Sequence, residues 1–246
     1  MCQYGLGVMN IQFTDIKEHA TKRGLRLTPD RRSASYLAHY DLQVEVIFDV
    51  GVNTGTPFLY EAFPTSKFVL VDPLPDCDKT VRESGLLSDF DFVNTALGAQ
   101  ASKAILEVPI IGGERKTALS SLKKRTDPLS EQFERVERRQ VEVRTLDDVA
   151  SNYSGRVGIK IDTEGHEVEI LEGARDTLHR CEFVILELSL TQRFKDVSRP
   201  SRAVSLMADA GLELRDFIDM QDRSPDNKLD RRPRHADLLF TRWGDE

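Results

Sequence analysis

The sequence has few cysteines, no long apolar run and no excess of positive charge. Its 246 residues include 3 cysteines, at positions 2, 77 and 181, and no CxxC pair. We therefore expect neither a disulfide framework nor a zinc site, and reduced thiols favour a cytoplasmic location. The N-terminal segment has no charged start followed by a long apolar stretch, so no signal peptide is expected.

Two classes of partner are disfavoured by composition. The longest apolar runs, such as residues 183–186, are far shorter than the ~20 residues of a membrane-spanning helix. The net charge is −7, from 34 Lys and Arg against 41 Asp and Glu, whereas a nucleic-acid-binding domain is normally basic. We expect no membrane span and no nucleic acid as partner. Nothing in the sequence sets an oligomeric state.

Short β-type apolar runs alternate with helical patterns after residue 43. The runs lie at 44–48, 67–71, 90–93, 158–161 and 183–188, and such runs are typical of strands covered on both faces. Helices are predicted at 56–63, 164–180 and 201–210. Two more β-type stretches, at 212–218 and 237–241, fit an antiparallel hairpin. The order predicts an α/β fold with a mostly parallel sheet.

The charge distribution suggests a domain plan. Residues 1–43 are predicted to form a helical preamble, and 44–246 one domain with a charged insertion at about 112–139, flanked by short strands at 102–108 and 139–145. The insertion is interpreted as a solvated, partly helical surface arm, or alternatively as a mobile lid that grips an anionic substrate. With the basic segment 221–235, it is expected to border the substrate pocket.

The most informative segment is VIFDVGVNTG, residues 46–55. A strand ends at Asp49, and Gly51 and Gly55 then allow a tight turn in which a ligand can approach the backbone. A ligand-free strand–helix turn is the alternative. The next strand ends at Asp72, where a carboxylate can accept hydrogen bonds from ribose hydroxyls or can serve only as a turn residue.

The glycine pattern distinguishes two nucleoside cofactors. The turn is not G-x-G-x-x-G, because Val52 and Asn53 follow Gly51, so the pyrophosphate fingerprint of dinucleotides is missing. A cofactor without phosphate fits better, and Asp49 is placed to meet an ammonium group. S-adenosylmethionine has that group and NAD lacks it.

Five segments in order carry a family resemblance: VIFDVGVNTG, VDPLP, VNTALG, VRTLDDV and IKIDTEGHEVEILEGA. Over residues 44–190, with a looser tail to 242, the chain resembles the FkbM family of S-adenosyl-L-methionine-dependent methyltransferases. The resemblance implies a Rossmann-like sheet of seven mostly parallel strands, with helices on both faces and a C-terminal antiparallel hairpin. It also implies methyl transfer, commonly to a hydroxyl oxygen of a small molecule or glycan.

The same resemblance implies roles for individual residues. The cofactor's methionine end would be lined by Asp49, Gly51, Asn53 and Gly55. Asp72 would hold the ribose, and Asn94 and Ala96 would approach the adenine. Asp162 would lie near the transferred methyl group. Ser120 or Ser121, in a segment similar to the family's serine-containing loop, would touch a ligand.

Residues around the predicted fourth strand offer acid–base chemistry. Strand alternation places Lys160 and Asp162 on one face, either as catalytic groups or as a buried ion pair that fixes the sheet. Glu164 is a substrate-binding candidate or a helix-dipole partner. His166 is a candidate general base or a solvent-facing histidine. Glu187 is predicted either to bind a hydroxyl or to cap a turn.

Three function classes remain open from the sequence. The first is an S-adenosylmethionine-dependent methyltransferase that methylates a hydroxyl, with Asp162 or His166 taking the proton. The second is an NAD(P)-dependent oxidoreductase, and the third is a non-catalytic Rossmann-like interaction module that uses the basic arm as its contact surface. The other histidines, His19, His39, His179 and His235, have no acidic partner at ligand spacing and receive no role.

Overall fold

The computed structural model describes residues 13–24, 30–221 and 233–244. The chain divides into two compact units, residues 1–30 and 31–246. The first unit contains helix α1 (Phe13–Lys22), which ends in a turn at Gly24, whose φ is 73°. Within the described residues, no helix is both long and apolar enough to cross a membrane.

The second unit is built on a seven-stranded sheet. Its strands are β1 (Val46–Val50), β2 (Lys67–Val71), β3 (Phe90–Val93), β8 (Val157–Ile161), β9 (Cys181–Ser189), β10 (Leu212–Gln221) and β11 (His235–Arg242). The spatial order is β10-β11-β9-β8-β1-β2-β3, and among these described strands β11 runs opposite in direction to the other six. The predicted mostly parallel sheet with an antiparallel C-terminal hairpin is therefore confirmed.

The central strands β1, β8 and β9 are apolar because the sheet is covered on both faces. One face packs Phe48, Ile159 and Val184 against α8 (Pro200–Asp209) and other helices, and the opposite face packs Ile47 and Phe183 beneath α3 (Pro57–Ala62). The remaining short helices are α2 (Ala34–Leu37), α4 (Asp76–Ser84), α5 (Leu146–Ala150), α6 (Glu167–Glu172) and α7 (Arg175–Leu178). The polar ends of these buried strands are thereby left to form a site.

A second sheet contains both ends of the charged insertion. Strands β4 (Ala96–Leu97), β5 (Ser102–Ile111), β6 (Glu114–Arg115) and β7 (Arg135–Arg144) form it, in the order β4-β7-β5-β6. The two strands predicted to flank the insertion are longer than expected. Within the insertion Ser121, Arg125 and Asp127 are buried, and Arg125 pairs with Asp127 and Glu164, while the other residues of 112–139 are exposed or half-buried.

The helix predicted over 164–180 is two short helices, α6 and α7. The chain turns at Gly173, where an added Cβ would lie 2.1 Å from the Gly98 carbonyl oxygen. This close approach of two backbone segments needs glycine and ends α6 early. An apolar spacing of three or four residues continues through the break, so periodicity alone could not reveal it.

A substitution at Gly158 tests the packing between β8 and β9. A Cβ at this position would lie 2.4 Å from the Phe183 ring. We expect Gly158→Ala to lower the free energy of unfolding by about 1–3 kcal/mol, the usual cost of overpacking, in urea titrations. Val204→Ala on exposed α8 is the control, with a change of about 0.5 kcal/mol or less. Equal stability of both variants would contradict the described packing.

Candidate active site

A cavity of about 630 Å³ opens at the carboxyl ends of β1, β2, β8 and β9. Ligand sites of α/β sheets lie at this edge, and small-molecule pockets have volumes of ~300–1,000 Å³. One end of the cavity is formed by the glycine turn and Asp72, and the other by charged side chains. Residues 117–122, 125, 128, 129 and 132 of the insertion form a wall between them. The insertion is therefore part of the site.

The glycine turn has the backbone geometry that the sequence predicted. Gly51 and Gly55 have φ angles of 78° and 101°, and Asn53 is left-handed with φ 48°. A Cβ on Gly51 would lie 1.9 Å from the Asp162 carbonyl oxygen. Glycine is required here because the ends of β1 and β8 touch through their backbones. The first strand and the candidate catalytic strand are thus held together at the cavity floor.

Asp72 closes the same end of the cavity. Its carboxylate accepts hydrogen bonds from the backbone N–H groups of Asn53 (3.1 Å) and Leu74 (2.8 Å). Burial raises the pKa of Asp72, while these two N–H groups oppose the shift. The glycine turn is therefore tied to the tip of β2, and Gly51 and Asp72 line one cavity, as expected for a nucleoside site.

Lys160 joins two candidate acids. Its Nζ lies 3.5 Å from Asp49 Oδ1 and 3.4 Å from Asp162 Oδ2. Burial alone would lower the pKa of Lys160, but the carboxylates of Asp162 and Asp49 raise it above its ordinary value. Tyr60 donates a hydrogen bond to Asp49 Oδ2 at 2.7 Å. The predicted face shared by Lys160 and Asp162 is observed, and so is the buried ion pair.

Glu164 and Glu187 are joined by Arg193. Arg193 donates to Glu164 Oε2 at 2.5 Å and to Glu187 Oε1 at 2.8 Å, and Arg125 also reaches Glu164 Oε2 at 2.5 Å. Both guanidinium groups lie over the Phe194 ring. Glu164 is not the start of a helix, since α6 begins at Glu167 and Glu164 itself has a φ of 56°. This network fixes the acidic end of the cavity.

The acidic groups at this end hold their protons more tightly than free carboxyls. Burial raises the pKa of Glu164, and burial raises that of Glu187 well above its usual range, with the carboxylates of Asp162 and Glu164 adding to the effect. Burial, followed by the carboxylate of Asp162, raises the pKa of Asp237 to about 6. Asp237 can therefore exchange a proton with a ligand near neutral pH.

His166 and Ser121 lie where the insertion meets α6. His166 is partly buried and lines the cavity, so it is not solvent-facing. Burial lowers its pKa, and its Nδ1 lies 3.8 Å from Glu169 Oε2 without a hydrogen bond between them. Ser121 donates its hydroxyl to the Glu164 carbonyl at 2.6 Å. Its hydroxyl therefore fixes the Glu164 backbone.

The remaining cofactor candidates fall into two groups. Ala96 lines the cavity at the start of β4, beside buried Thr95. Asn94 does not line it: its amide donates to the Asp72 carbonyl at 2.9 Å. Asp49 also lies outside the lining, directly behind the glycine turn and fully buried. Asn94 and Asp49 therefore support the site from outside the cavity.

Several cavity residues were missed by the sequence reasoning. Thr117 donates to Asn53 Oδ1 at 2.9 Å and links the insertion to the glycine turn. His235, which received no role, has its Nε2 3.7 Å from Glu187 Oε2. The other missed residues are Arg32, Arg125, Arg193, Arg234 and Asp237. The basic character of 112–139 and 221–235 was the available signal, although residues 222–232 lie outside the described part of the chain.

The described residues fit a sulfonium nucleoside. Asp72 presents a carboxylate beside the turn, in the position suited to ribose hydroxyls. Asp49 lies behind the loop, where Oδ1 is ion-paired with Lys160 and Oδ2 accepts from Tyr60, so it supports the turn and does not present its carboxylate to a ligand. The loop has no second glycine for a pyrophosphate. Among the described residues, no group of His, Cys, Asp and Glu side chains is arranged to hold a metal ion.

Residues 49–223 match the model of the methyltransferase FkbM domain. No curated protein sequence matches the chain.

Three solved methyltransferases illustrate the structural likeness. Magnesium protoporphyrin IX methyltransferase from Synechocystis PCC 6803, with bound SAM, has 11% identity and a TM-score of 0.46, covering 95% of this chain and 85% of that one. Precorrin-6y C5,15-methyltransferase from Geobacter metallireducens GS-15 has 12% identity and a TM-score of 0.41, with 85% and 86% covered. An S-adenosylmethionine-dependent methyltransferase from Clostridium acetobutylicum ATCC 824 has 9% identity and a TM-score of 0.42, with 94% and 98% covered.

Removal of the Lys160 charge tests the ion pair at the cavity floor. We expect Lys160→Met to cost about 3–5 kcal/mol at pH 7, because two carboxylates lose their cation. In the wild type the raised pKa of Lys160 means that its contribution is present at neutral pH and is lost only in strong alkali. In the variant the uncompensated carboxylates protonate as pH falls, so the deficit is expected to shrink from pH 8 to pH 5.

Urea titrations at both pH values measure this deficit. Lys124→Met, on the exposed part of the insertion, is the matched control. Adding Asp49→Asn to Lys160→Met is expected to recover part of the loss. A Lys160→Met protein as stable as the control at pH 8 would contradict the ion-pair assignment.

Proposed function

From the premise that this chain belongs to the FkbM methyltransferase family, whose cofactor is S-adenosylmethionine, we propose that it is an O-methyltransferase acting on a hydroxyl group of a small molecule or glycan. One observation carries the proposal: a single cavity has the nucleoside-type turn at one end and a group of hydrogen-bonding carboxyls at the other. The buried, unpaired thiols of Cys77 and Cys181 support a cytoplasmic location as part of the proposal.

The cofactor end is assigned to Gly51, Asn53, Gly55, Asp72 and Ala96. Asp72 holds the ribose hydroxyls, and the glycine turn leaves room for the methionine part. Asp49 and Asn94 position this end from outside the cavity through the contacts described above. Bound S-adenosylmethionine supplies a methyl group on a positively charged sulfur, which is already activated for displacement.

The chain's own residues must orient the acceptor oxygen and take its proton. Holding a nucleophile in near-attack geometry accounts for much of the rate of such transfers. Asp162 and His166 are the candidate proton acceptors: the carboxylate of Asp162 is partly open to the cavity, and burial lowers the pKa of His166, which keeps a ring nitrogen free to accept a proton. Lys160 is a positioning residue that orients Asp162. Glu164, Glu187 and Ser121 shape the acceptor end.

Two alternatives are disfavoured by particular observations. An NAD(P)-dependent oxidoreductase needs pyrophosphate contacts that this turn, with Val52 and Asn53 after Gly51, is not built to make. A non-catalytic interaction module that used the exposed cations of the basic arm, such as Lys124, Arg135 and Arg138, would not need Arg125 to line a cavity. Arg125 is instead buried against Glu164 in the cavity lining.

Binding of the demethylated cofactor, S-adenosylhomocysteine, tests the cofactor end. At 100 times Kd it is expected to stabilise the protein by ~2.7 kcal/mol in thermal unfolding, while NAD at the same concentration gives no shift. Asp72→Asn is expected to weaken S-adenosylhomocysteine at least tenfold by calorimetry, because a ribose acceptor is lost. The exposed Asp209→Asn is the control. Stabilisation by NAD alone would refute the proposal.

The proton-acceptor assignment is tested by turnover. General base catalysis contributes typically ~10²–10⁴-fold, so we expect Asp162→Asn or His166→Ala to lose at least 100-fold in turnover while S-adenosylhomocysteine affinity stays within threefold. The assay follows labelled methyl transfer into a small-molecule cell extract. Full turnover by both variants would show that neither group takes the proton and that positioning suffices.

A further inference from the structure

Glu187 and Asp237 lie directly opposite each other on adjacent strands at the acceptor end of the cavity. They are register partners in the antiparallel pair β9–β11, and opposed residues place their Cβ atoms ~4.5–5.5 Å apart on the same face. Both side chains line the cavity and are largely buried. Two carboxyl groups are thus presented side by side to whatever occupies this end.

The arginines and the lysine around this end do not form an anion-binding site, because each one already faces carboxylates. Arg193 pairs with Glu164 and Glu187. Arg125 pairs with Glu164 and with Asp127, which also pairs with Arg234.

The other two cations follow the same pattern. Lys160 lies between Asp49 and Asp162, and Arg32 approaches Asp237 at 3.7 Å. Within the described residues, every Lys or Arg that lines the cavity has a carboxylate oxygen within the 4.0 Å limit of an ion pair.

Negative charge is in slight excess in this region. Seven carboxyl groups, at 49, 72, 127, 162, 164, 187 and 237, lie in or directly behind the cavity wall, with five cations, at 32, 125, 160, 193 and 234. A phosphate or carboxylate on the acceptor would face Asp162 and Asp237 in a partly desolvated space, where like charges repel strongly. Because the five cations already face the protein's own carboxylates, they are not arranged to neutralise an anionic acceptor.

Building on the proposed function, we propose that the acceptor is an uncharged polyhydroxylated molecule, with neighbouring hydroxyl groups bound by Glu187 and Asp237. Hydroxyl groups donate hydrogen bonds to carboxylates, and two adjacent carboxyl groups match two adjacent hydroxyls in spacing and polarity. The raised pKa values of both acids agree with this assignment, since the protonated member can donate a bond to a hydroxyl oxygen. The basic insertion therefore organises the protein's own carboxylates and does not bind an acidic substrate.

A panel of sugars tests the charge preference directly. Methyl glycosides of common hexoses, deoxyhexoses and pentoses are incubated with tritiated S-adenosylmethionine, each beside its 6- or 5-phosphate, its uronate or its amino counterpart where one exists. We expect labelled product from at least one neutral glycoside and at least tenfold less from its charged counterparts. Faster transfer to any phosphorylated, carboxylated or amino sugar than to its neutral parent would overturn the inference.

Two variants test the residues. Glu187→Gln and Asp237→Asn are each expected to raise the KM for the neutral glycoside at least tenfold while leaving S-adenosylhomocysteine affinity within twofold. Glu187→Gln also leaves Arg193 with Glu164 as its carboxylate partner and removes one negative charge, so the preference of this variant should shift at least tenfold toward the anionic counterpart. Glu213→Gln, on the exposed part of β10, is the control. Unchanged KM in both folded variants would overturn the assignment.

Calorimetry separates failure of this inference from failure of the proposed function. If S-adenosylhomocysteine binds but no neutral glycoside is methylated, the polyhydroxyl assignment is wrong and the methyltransferase assignment stands. If S-adenosylhomocysteine does not bind, the proposed function itself fails, and the inference fails with it.

Discussion

The ion pairs of the buried Lys160 ammonium are the interactions on which the rest of the site depends. It lies between Asp49, behind the cofactor turn, and Asp162, at the end of the neighbouring strand. Without it, the buried Asp49 carboxylate would have no cation beside it and the half-buried Asp162 would lose its partner, at a cost of several kcal/mol. The carboxylates of Asp49 and Asp162 can therefore lie next to the glycine turn because Lys160 compensates their charge.

Compensation of buried carboxylates by nearby cations extends across the cavity. Parallel strands bring their carboxyl ends to one edge, so polar residues that are far apart in the chain meet there. Arg125 from the insertion and Arg193 after β9 converge on Glu164. The insertion thus serves as a wall whose charges hold the acidic end in place, and the chemistry is carried by the carboxyls that the arginines orient.

The sequence predicted those features that depend on patterns within a few neighbouring residues. The bounds of β2 and β3, the positive φ of Gly51 and Gly55, and the shared face of Lys160 and Asp162 all follow from patterns within a few residues. The family resemblance added the seven-stranded sheet with its antiparallel hairpin and the cofactor, and the domain match agrees with the family.

The features that the sequence did not predict depend on contacts between residues that are far apart in the chain. The second sheet pairs β5 with β7 across the charged insertion, and the alternation of charged residues in β7 concealed it. Gly173 ends α6 because it meets the Gly98 backbone, a contact with no local signal. Asp237 and His235 join the site only because β11 runs antiparallel beside β9 and brings its first residues to the carboxyl edge. Neither the identity of these residues nor their spacing in the sequence shows that they lie beside the end of β9.

In the proposed function, one cavity holds the nucleoside cofactor at the glycine turn and the methyl acceptor at the carboxyl cluster. A crystal structure with bound S-adenosylhomocysteine would show both positions. We expect ribose hydroxyls on the Asp72 carboxylate, the amino acid part along Gly51 to Gly55, and the sulfur directed toward Asp162. A nucleoside bound away from Gly51 and Asp72, or a sulfur directed away from Asp162 and Glu187, would contradict the proposed function.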